Sequence, residues 1–117
     1  MKIPRSTKES EALLRSLVSE RAGVALRPMF GNLSAFVNGN MYAGVFGEDI
    51  FVRLSPADGA ELLEKEGASH FAPMSGRAMK DYVLVPRAWT RDAAKVRPWM
   101  TKALDWTEKM PPKAKKG

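Results

Sequence analysis

The sequence predicts an α+β domain with a mainly antiparallel sheet of about five strands flanked by helices, and three observations lead there. Residues 29–54 read as three short strands joined by two tight turns, Asn38-Gly39 and Gly47-Glu48. Apolar residues at helical spacing recur before that stretch, after it and near the end of the chain. The resulting order is helix, three to four strands, helix, one to two strands, helix, the arrangement of α+β rather than parallel α/β domains.

The first helix is expected over 7–21. Ser6 and Glu9 have the spacing of a capping box, Leu13, Leu14, Leu17 and Val18 form one apolar stripe, and Gly23 stops it. A short strand over 27–30 leads through Gly31 into the meander. Asn38-Gly39 calls for a type I′ turn, which needs positive φ at both central residues; Gly47 leads the second turn, as type II′ prefers. The second helix starts after Ser55 as N-cap, with Pro56 at its first position and Asp58 in its first turn, and ends at Gly67. Turn and loop chemistry dominates 67–81, with a short strand at 70–74. A strand over 82–85 is closed by Pro86. The last helix is expected over 95–109, with Pro98 in its first turn, where a missing N–H costs least.

The two turns assign faces, because opposed residues point the same way. Phe36, Met41, Ala43, Val45, Ile50, Val52 and Leu54 gather on one face as core. Leu33, Ala35, Val37, Tyr42, Phe46, Phe51 and Arg53 gather on the other, which is too apolar for an ordinary wet surface. Helices, another strand or a symmetry mate would cover it; the functional alternative is an aromatic ligand surface of the kind single-stranded RNA binders use.

A chain of 117 residues, 44% hydrophobic and 27% charged, is one globular domain with enough core to need no staples. We expect the domain to occupy 1–110, followed by a disordered basic tail over 111–117. No apolar run approaches a membrane span and no secretory leader opens the chain, so the expected location is cytoplasmic. The absence of cysteine excludes disulfides, thiolate metal sites and cysteine nucleophiles. The formal charge is +6, and the excess sits in the ends: Lys2, Arg5 and Lys8 precede the first acidic residue, and Lys113, Lys115 and Lys116 follow the last. Within the body, 48–66 is net −4 and 77–102 is net +5. Arg77, Lys80, Arg87, Arg91, Lys95, Arg97 and Lys102, with the three tail lysines, are therefore the candidate nucleic-acid contacts.

Several blocks carry a resemblance. Pro28-Met29-Phe30-Gly31, Phe36-Val37-Asn38-Gly39, Met41-Tyr42-Ala43-Gly44 and Val52-Arg53-Leu54 are similar to successive blocks of the TfoX/Sxy N-terminal domain family. So are Phe71-Ala72-Pro73-Met74, Met79-Lys80-Asp81-Tyr82-Val83 and the late helix with Trp99 and Ala103-Leu104. The resemblance runs from about residue 10 to about residue 112 of the chain. It implies an α+β fold with a five-stranded antiparallel sheet, and kinship with bacterial regulators of natural competence genes that act beside the cyclic-AMP receptor protein at promoters. Those regulators carry a second, helix-hairpin-helix domain. This chain reads as a stand-alone N-terminal domain, which need not keep the competence role. The family offers no catalytic residues to carry over.

The residues themselves offer little chemistry. His70 has no partners at metal or acid–base spacing. Gly44-x-x-Gly47 resembles a KH clamp loop but straddles a β-turn that already explains both glycines. Asp49, Asp81 and Asp92 form no carboxylate pair, and Trp89, Trp99 and Trp106 read as packing residues. We expect no enzyme and no cofactor. The expected function is a regulatory or adaptor domain that binds another protein in transcription, as a monomer or homodimer, with Tyr42, Phe46, Phe51, Arg53, Met74 and Arg77 as its contact surface. The alternative is low-specificity nucleic-acid binding through 77–102 and the tail.

Overall fold

A computed structural model of the chain describes residues 7–18, 23–29, 32–74 and 77–111. The chain runs α1 (Lys8–Leu17), β1 (Val24–Met29), β2 (Asn32–Val37), β3 (Asn40–Phe46), β4 (Asp49–Arg53) and α2 (Pro56–Leu63). It continues through β5 (Ser69–Met74), β6 (Arg77–Leu84), a 3-10 helix (Arg87–Arg91) and α3 (Ala93–Glu108). The strands form one antiparallel sheet in the order β1-β2-β3-β4-β6-β5, one strand more than the expected five or so.

Local chemistry accounts for most boundaries. The cap of α1 is Thr7 rather than Ser6, which lies outside the described residues. Thr7 Oγ1 accepts from the Ser10 N–H at 3.0 Å, and Ser10 Oγ accepts from the Thr7 N–H at 2.9 Å. The helix ends at Leu17, short of the expected 21, because Val18 turns extended while its N–H still reaches the Leu14 carbonyl. The β1 strand starts at Val24, before the expected 27. Helix α2 begins as expected, with Ser55 Oγ accepting from the Asp58 N–H at 3.2 Å, but it ends at Leu63, and Gly67 at φ 92° makes the turn beyond it. Helix α3 starts at Ala93, so Pro98 is its sixth residue and lies past the first turn. That position is tolerable because Pro98 and Ala94, whose carbonyl loses its donor, are both exposed to water. The 3-10 helix was not anticipated; its turns close through Trp89 N–H to the Pro86 carbonyl and Asp92 N–H to that of Trp89.

Both expected hairpin turns are present. Asn38 and Gly39 take φ of 51° and 84°, the pair of positive values a type I′ turn requires, and Gly47 takes 64°. Between β2 and β3 the register then slips. Phe36 pairs with Met41 as counted from the turn, but Ala35 pairs with Ala43, and Tyr42 is the extra residue of a β-bulge. Relative to β4 and to β3 beyond Tyr42, the whole of β2, and Met41 with it, consequently takes the opposite face from the one expected. Leu33, Ala35 and Val37 join Ala43, Val45, Ile50, Val52 and Leu54, and Tyr42 is buried among them. Leu14 and Leu17 of α1, Leu62 of α2, and Val96, Trp99, Met100, Ala103 and Leu104 of α3 pack onto this side. One face of the sheet thus holds the main core and all three helices.

The Gly47 turn is held from two sides. Its N–H donates to Asn32 Oδ1 at 3.1 Å, and its carbonyl accepts from the buried Ser10 hydroxyl at 2.9 Å. One serine therefore both caps α1 and fastens that helix to the β3–β4 hairpin.

The helix-free face of the sheet as candidate functional site

The face opposite the helices carries a second, smaller cluster: Phe51, Phe71 and Tyr82 are buried, with Met41, Phe46 and Leu84 packed at its margin. Phe46 stands on β3, Phe51 on β4, Tyr82 and Leu84 on β6, and Phe71 on β5. The rings of Phe51 and Phe71 stack nearly parallel at 4.3 Å. Phe46 meets Phe71 edge-on at 5.1 Å, and Tyr82 leans on Phe51 at 5.7 Å.

The contact between Phe46 and Phe71 defines the shape of this face. In a flat sheet β3 and β5 would lie three strand spacings apart, about 14 Å. Rings that meet across that interval require the β5 edge to curl back over the helix-free face. The β5–β6 register slips between His70 and Phe71 and again between Phe71 and Met74, and such irregularities bend a strand. Another strand, through Phe71, is therefore what covers the aromatic face.

Glycine makes the fit possible. Gly44 is the direct partner of Phe51 across the ladder, and a Cβ there would stand 2.6 Å from Phe51 Cζ and 2.8 Å from Ser34 Oγ. The ring occupies the space that a side chain on Gly44 would need. This gives Gly44 a packing reason beyond the turn that the sequence suggests.

Two arginines rest on rings of the same face. Arg27 lies 5.4 Å from the centroid of Phe36 and is exposed; Arg53 lies 5.4 Å from that of Tyr82 and is half-buried. Arg53 reaches Asp81 at 3.4 Å, while its Nε is buried with no hydrogen-bond partner among the described residues. Tyr82 donates its hydroxyl to the Met41 carbonyl at 3.0 Å, spanning β4. Burial raises the Tyr82 pKa, with the Arg53 guanidinium pulling the other way.

The expected contact residues separate accordingly. Tyr42, 1% exposed, belongs to the helix-covered core, and Phe51, 3% exposed, lies under Phe71; neither offers a surface. The bulge is the reason for the first and the curled edge for the second. Phe46 and Arg53 remain at the accessible margin. Met74 and Arg77 face each other across the β5–β6 hairpin, but their side chains, like that of Lys80, lie outside the described residues. Sequence reasoning did not single out Phe71 for the site, although it lies in the expected 70–74 strand and in a family-like block as the lone aromatic residue in a stretch of turn chemistry.

Two of the basic candidates among the described residues are engaged in ion pairs. Arg87 forms a two-point pair with Asp49, Nε to Oδ1 at 3.0 Å and Nη2 to Oδ2 at 2.9 Å, which raises its pKa. Lys102 bridges to Asp58 on α2 at 3.7 Å and lies over Trp99. Arg91, Lys95 and Arg97 are exposed and make no ion pair among the described residues. Lys113, Lys115 and Lys116 lie outside those residues. His70 is exposed on β5, and no group of three His, Cys, Asp or Glu residues is placed to hold a metal ion among the described residues. No described helix is long and apolar enough to cross a membrane.

A family model described as the TfoX N-terminal domain matches residues 16–106. No curated protein and no solved structure matches the chain.

Proposed function

Because the chain belongs to the TfoX N-terminal domain family, we propose that it is a non-catalytic regulatory or adaptor domain that works by binding another protein in transcription control. The observation that carries this reading is the helix-free face, where Met41, Phe46 and Leu84 stay half-buried beside Arg27 and Arg53. Apolar side chains flanked by ring-mounted arginines are the composition favoured at protein interfaces. The family's kinship with regulators that act beside the cyclic-AMP receptor protein supplies the first partners to try.

The test is titration of the purified chain against the cyclic-AMP receptor protein and RNA polymerase, followed by calorimetry or anisotropy. Saturable binding is expected, weakened about tenfold or more by Phe46→Ala or Arg53→Ala, a loss of ~1.4 kcal/mol typical of an interface anchor. Far-UV circular dichroism checks that each variant keeps its fold. Binding to neither protein, or binding indifferent to both substitutions, would count against the reading.

A second reading, low-specificity nucleic-acid binding, is supported by the exposed Arg91, Lys95 and Arg97. It requires anisotropy with duplex DNA, single-stranded DNA and RNA to persist at physiological salt. It also requires a salt dependence that flattens when the three residues become alanine.

A further inference from the structure

We propose that the free edge of β1 pairs with the same edge of a second copy of this chain, strand antiparallel to strand, about a two-fold axis at Leu26. This edge is separate from the helix-free face, so the inference goes beyond the function proposed above.

The two outer strands of the sheet differ. β5 changes register between His70 and Phe71 and again between Phe71 and Met74, and a strand bent in this way is a poor template for another. β1 runs against β2 without a slip, from Val24 opposite Val37 to Met29 opposite Asn32. The Asn38 N–H donates to the Gly23 carbonyl at 3.0 Å, which makes Gly23 and Asn38 a hydrogen-bonded pair. Such pairs alternate along an antiparallel ladder, so Ala25, Arg27 and Met29 direct their peptide groups toward β2. Val24, Leu26 and Pro28 direct theirs outward, and among the described residues no hydrogen bond engages them. Proline fits that slot because its missing N–H costs no bond to β2.

Folds commonly guard such an edge with charge or with proline. The charged side chain of β1, Arg27, leans back over Phe36 of β2 at 5.4 Å, away from the edge. Pro28 guards one end only.

The outward row is complementary to itself. With Leu26 opposite the partner's Leu26, the two exchange both of their backbone hydrogen bonds, and each Val24 N–H meets the other copy's Pro28 carbonyl. The donor that proline lacks leaves only the Val24 carbonyl unmatched, where β1 begins. On the helix-free side the exposed Ala25 would stand opposite the partner's Arg27, a small residue beside a long one. On the helix side Leu26 and Val24, both half-buried against the main core, would meet the partner's Leu26 and the partner's Pro28. No like charges oppose each other in this register. Any other strand has to match the row residue by residue, whereas a second copy does so by symmetry. The two helix-free faces would then lie side by side on one continuous sheet.

Sedimentation equilibrium of the full chain tests this. One strand pair makes a small seam, so a reversible dimer with a Kd of roughly 10–100 μM is expected, and concentrations should span that range tenfold on each side. Pro28→Val supplies the missing donor without touching the β1–β2 bonds and should tighten the dimer about tenfold or more. Ala25→Arg sets like charges opposite each other and should weaken it about tenfold, whereas Ala25→Glu should tighten it. Circular dichroism checks that each variant keeps its fold; should Ala25→Arg fail to fold, Pro28→Val and Ala25→Glu decide. An unaltered chain that stays monomeric throughout would overturn the proposal, even if Pro28→Val dimerises, because Pro28 would then be a guard. A dimer indifferent to substitutions at both positions would overturn it too, since its seam would lie elsewhere.

Discussion

Replacing Gly44 with alanine adds one methyl group where the structure has no room for it. The new Cβ would stand 2.6 Å from Phe51 Cζ, 2.9 Å from Cε2 and 2.8 Å from Ser34 Oγ. Phe51 has little space to retreat, since Phe71 stacks on it at 4.3 Å and Tyr82 leans in at 5.7 Å. Overpacking a rigid site costs about 1–3 kcal/mol, and displacing the ring forfeits up to ~1 kcal/mol of aromatic contact. Alanine also restricts the unfolded chain, which returns about 0.5–1 kcal/mol. The balance is a destabilisation of about 2 kcal/mol, and for a chain of 117 residues each kcal/mol moves Tm by about 4 °C, so Tm should fall by roughly 8 °C. Thermal and urea melts followed by circular dichroism measure it. In a Phe51→Leu background the same substitution should cost at least ~1 kcal/mol less, because the obstructing ring is gone. A fall below about 2 °C, or no coupling between the two positions, would refute the attribution to Phe51.

Gly59→Ala should have the opposite sign: its Cβ would meet Val83 Cγ2 of β6 at 3.8 Å and Leu54 Cβ at 4.0 Å, ordinary van der Waals contacts, and removing a glycine from α2 should raise stability by about 1 kcal/mol in a urea melt. Ser10→Ala removes the half of the α1 capping box in which Ser10 Oγ accepts from the Thr7 N–H, and the bond to the Gly47 carbonyl, and should cost about 1–2 kcal/mol by the same measurement. Tyr82 gives a pH dependence. Its folded-state pKa is raised above the ordinary 10.0, so the stability it contributes is fully present below pH 10 and is lost as pH rises through the folded value. Urea midpoints taken between pH 8 and pH 11 should therefore fall more steeply for the unaltered chain than for Tyr82→Phe. Equal slopes would show that burial of this phenol does not govern its ionisation.

Elements governed by local chemistry were legible in the sequence. Asn38-Gly39 and Gly47 act on their own backbone, and Ser55 with Pro56 acts within one turn, so their signals survive in the fold unchanged. Helix ends that depend on where the chain goes next were less legible: Val18 leaves α1 early, and α3 starts five residues before Pro98. Strand β1 was expected, but it begins at Val24, three residues earlier than expected, because Pro28 in the run and the following Gly31 weaken the strand signal there.

The candidate site was least legible because its two determinants are non-local. Alternation from a two-residue turn fixes faces only while the ladder is regular. It held for Phe36 with Met41 and failed one residue later at Tyr42, which sent Leu33, Ala35 and Val37 to the helices. Nothing in the tripeptide Met41-Tyr42-Ala43 announces a bulge; its reason lies in the burial of three apolar β2 residues on the face that the helices cover. The second determinant is the curl of β5, which brings Phe71 over β3 from three strands away. Each aromatic on that face can be read from the sequence as apolar, yet whether it forms a surface or an interior depends on one ring delivered by the far edge. The apolar composition of the strands and the wet exposure of the face are thus separate facts, joined by Phe71. The accessible part of the site shrinks accordingly, from a row of aromatics to Met41, Phe46 and Leu84 with the two arginines beside them.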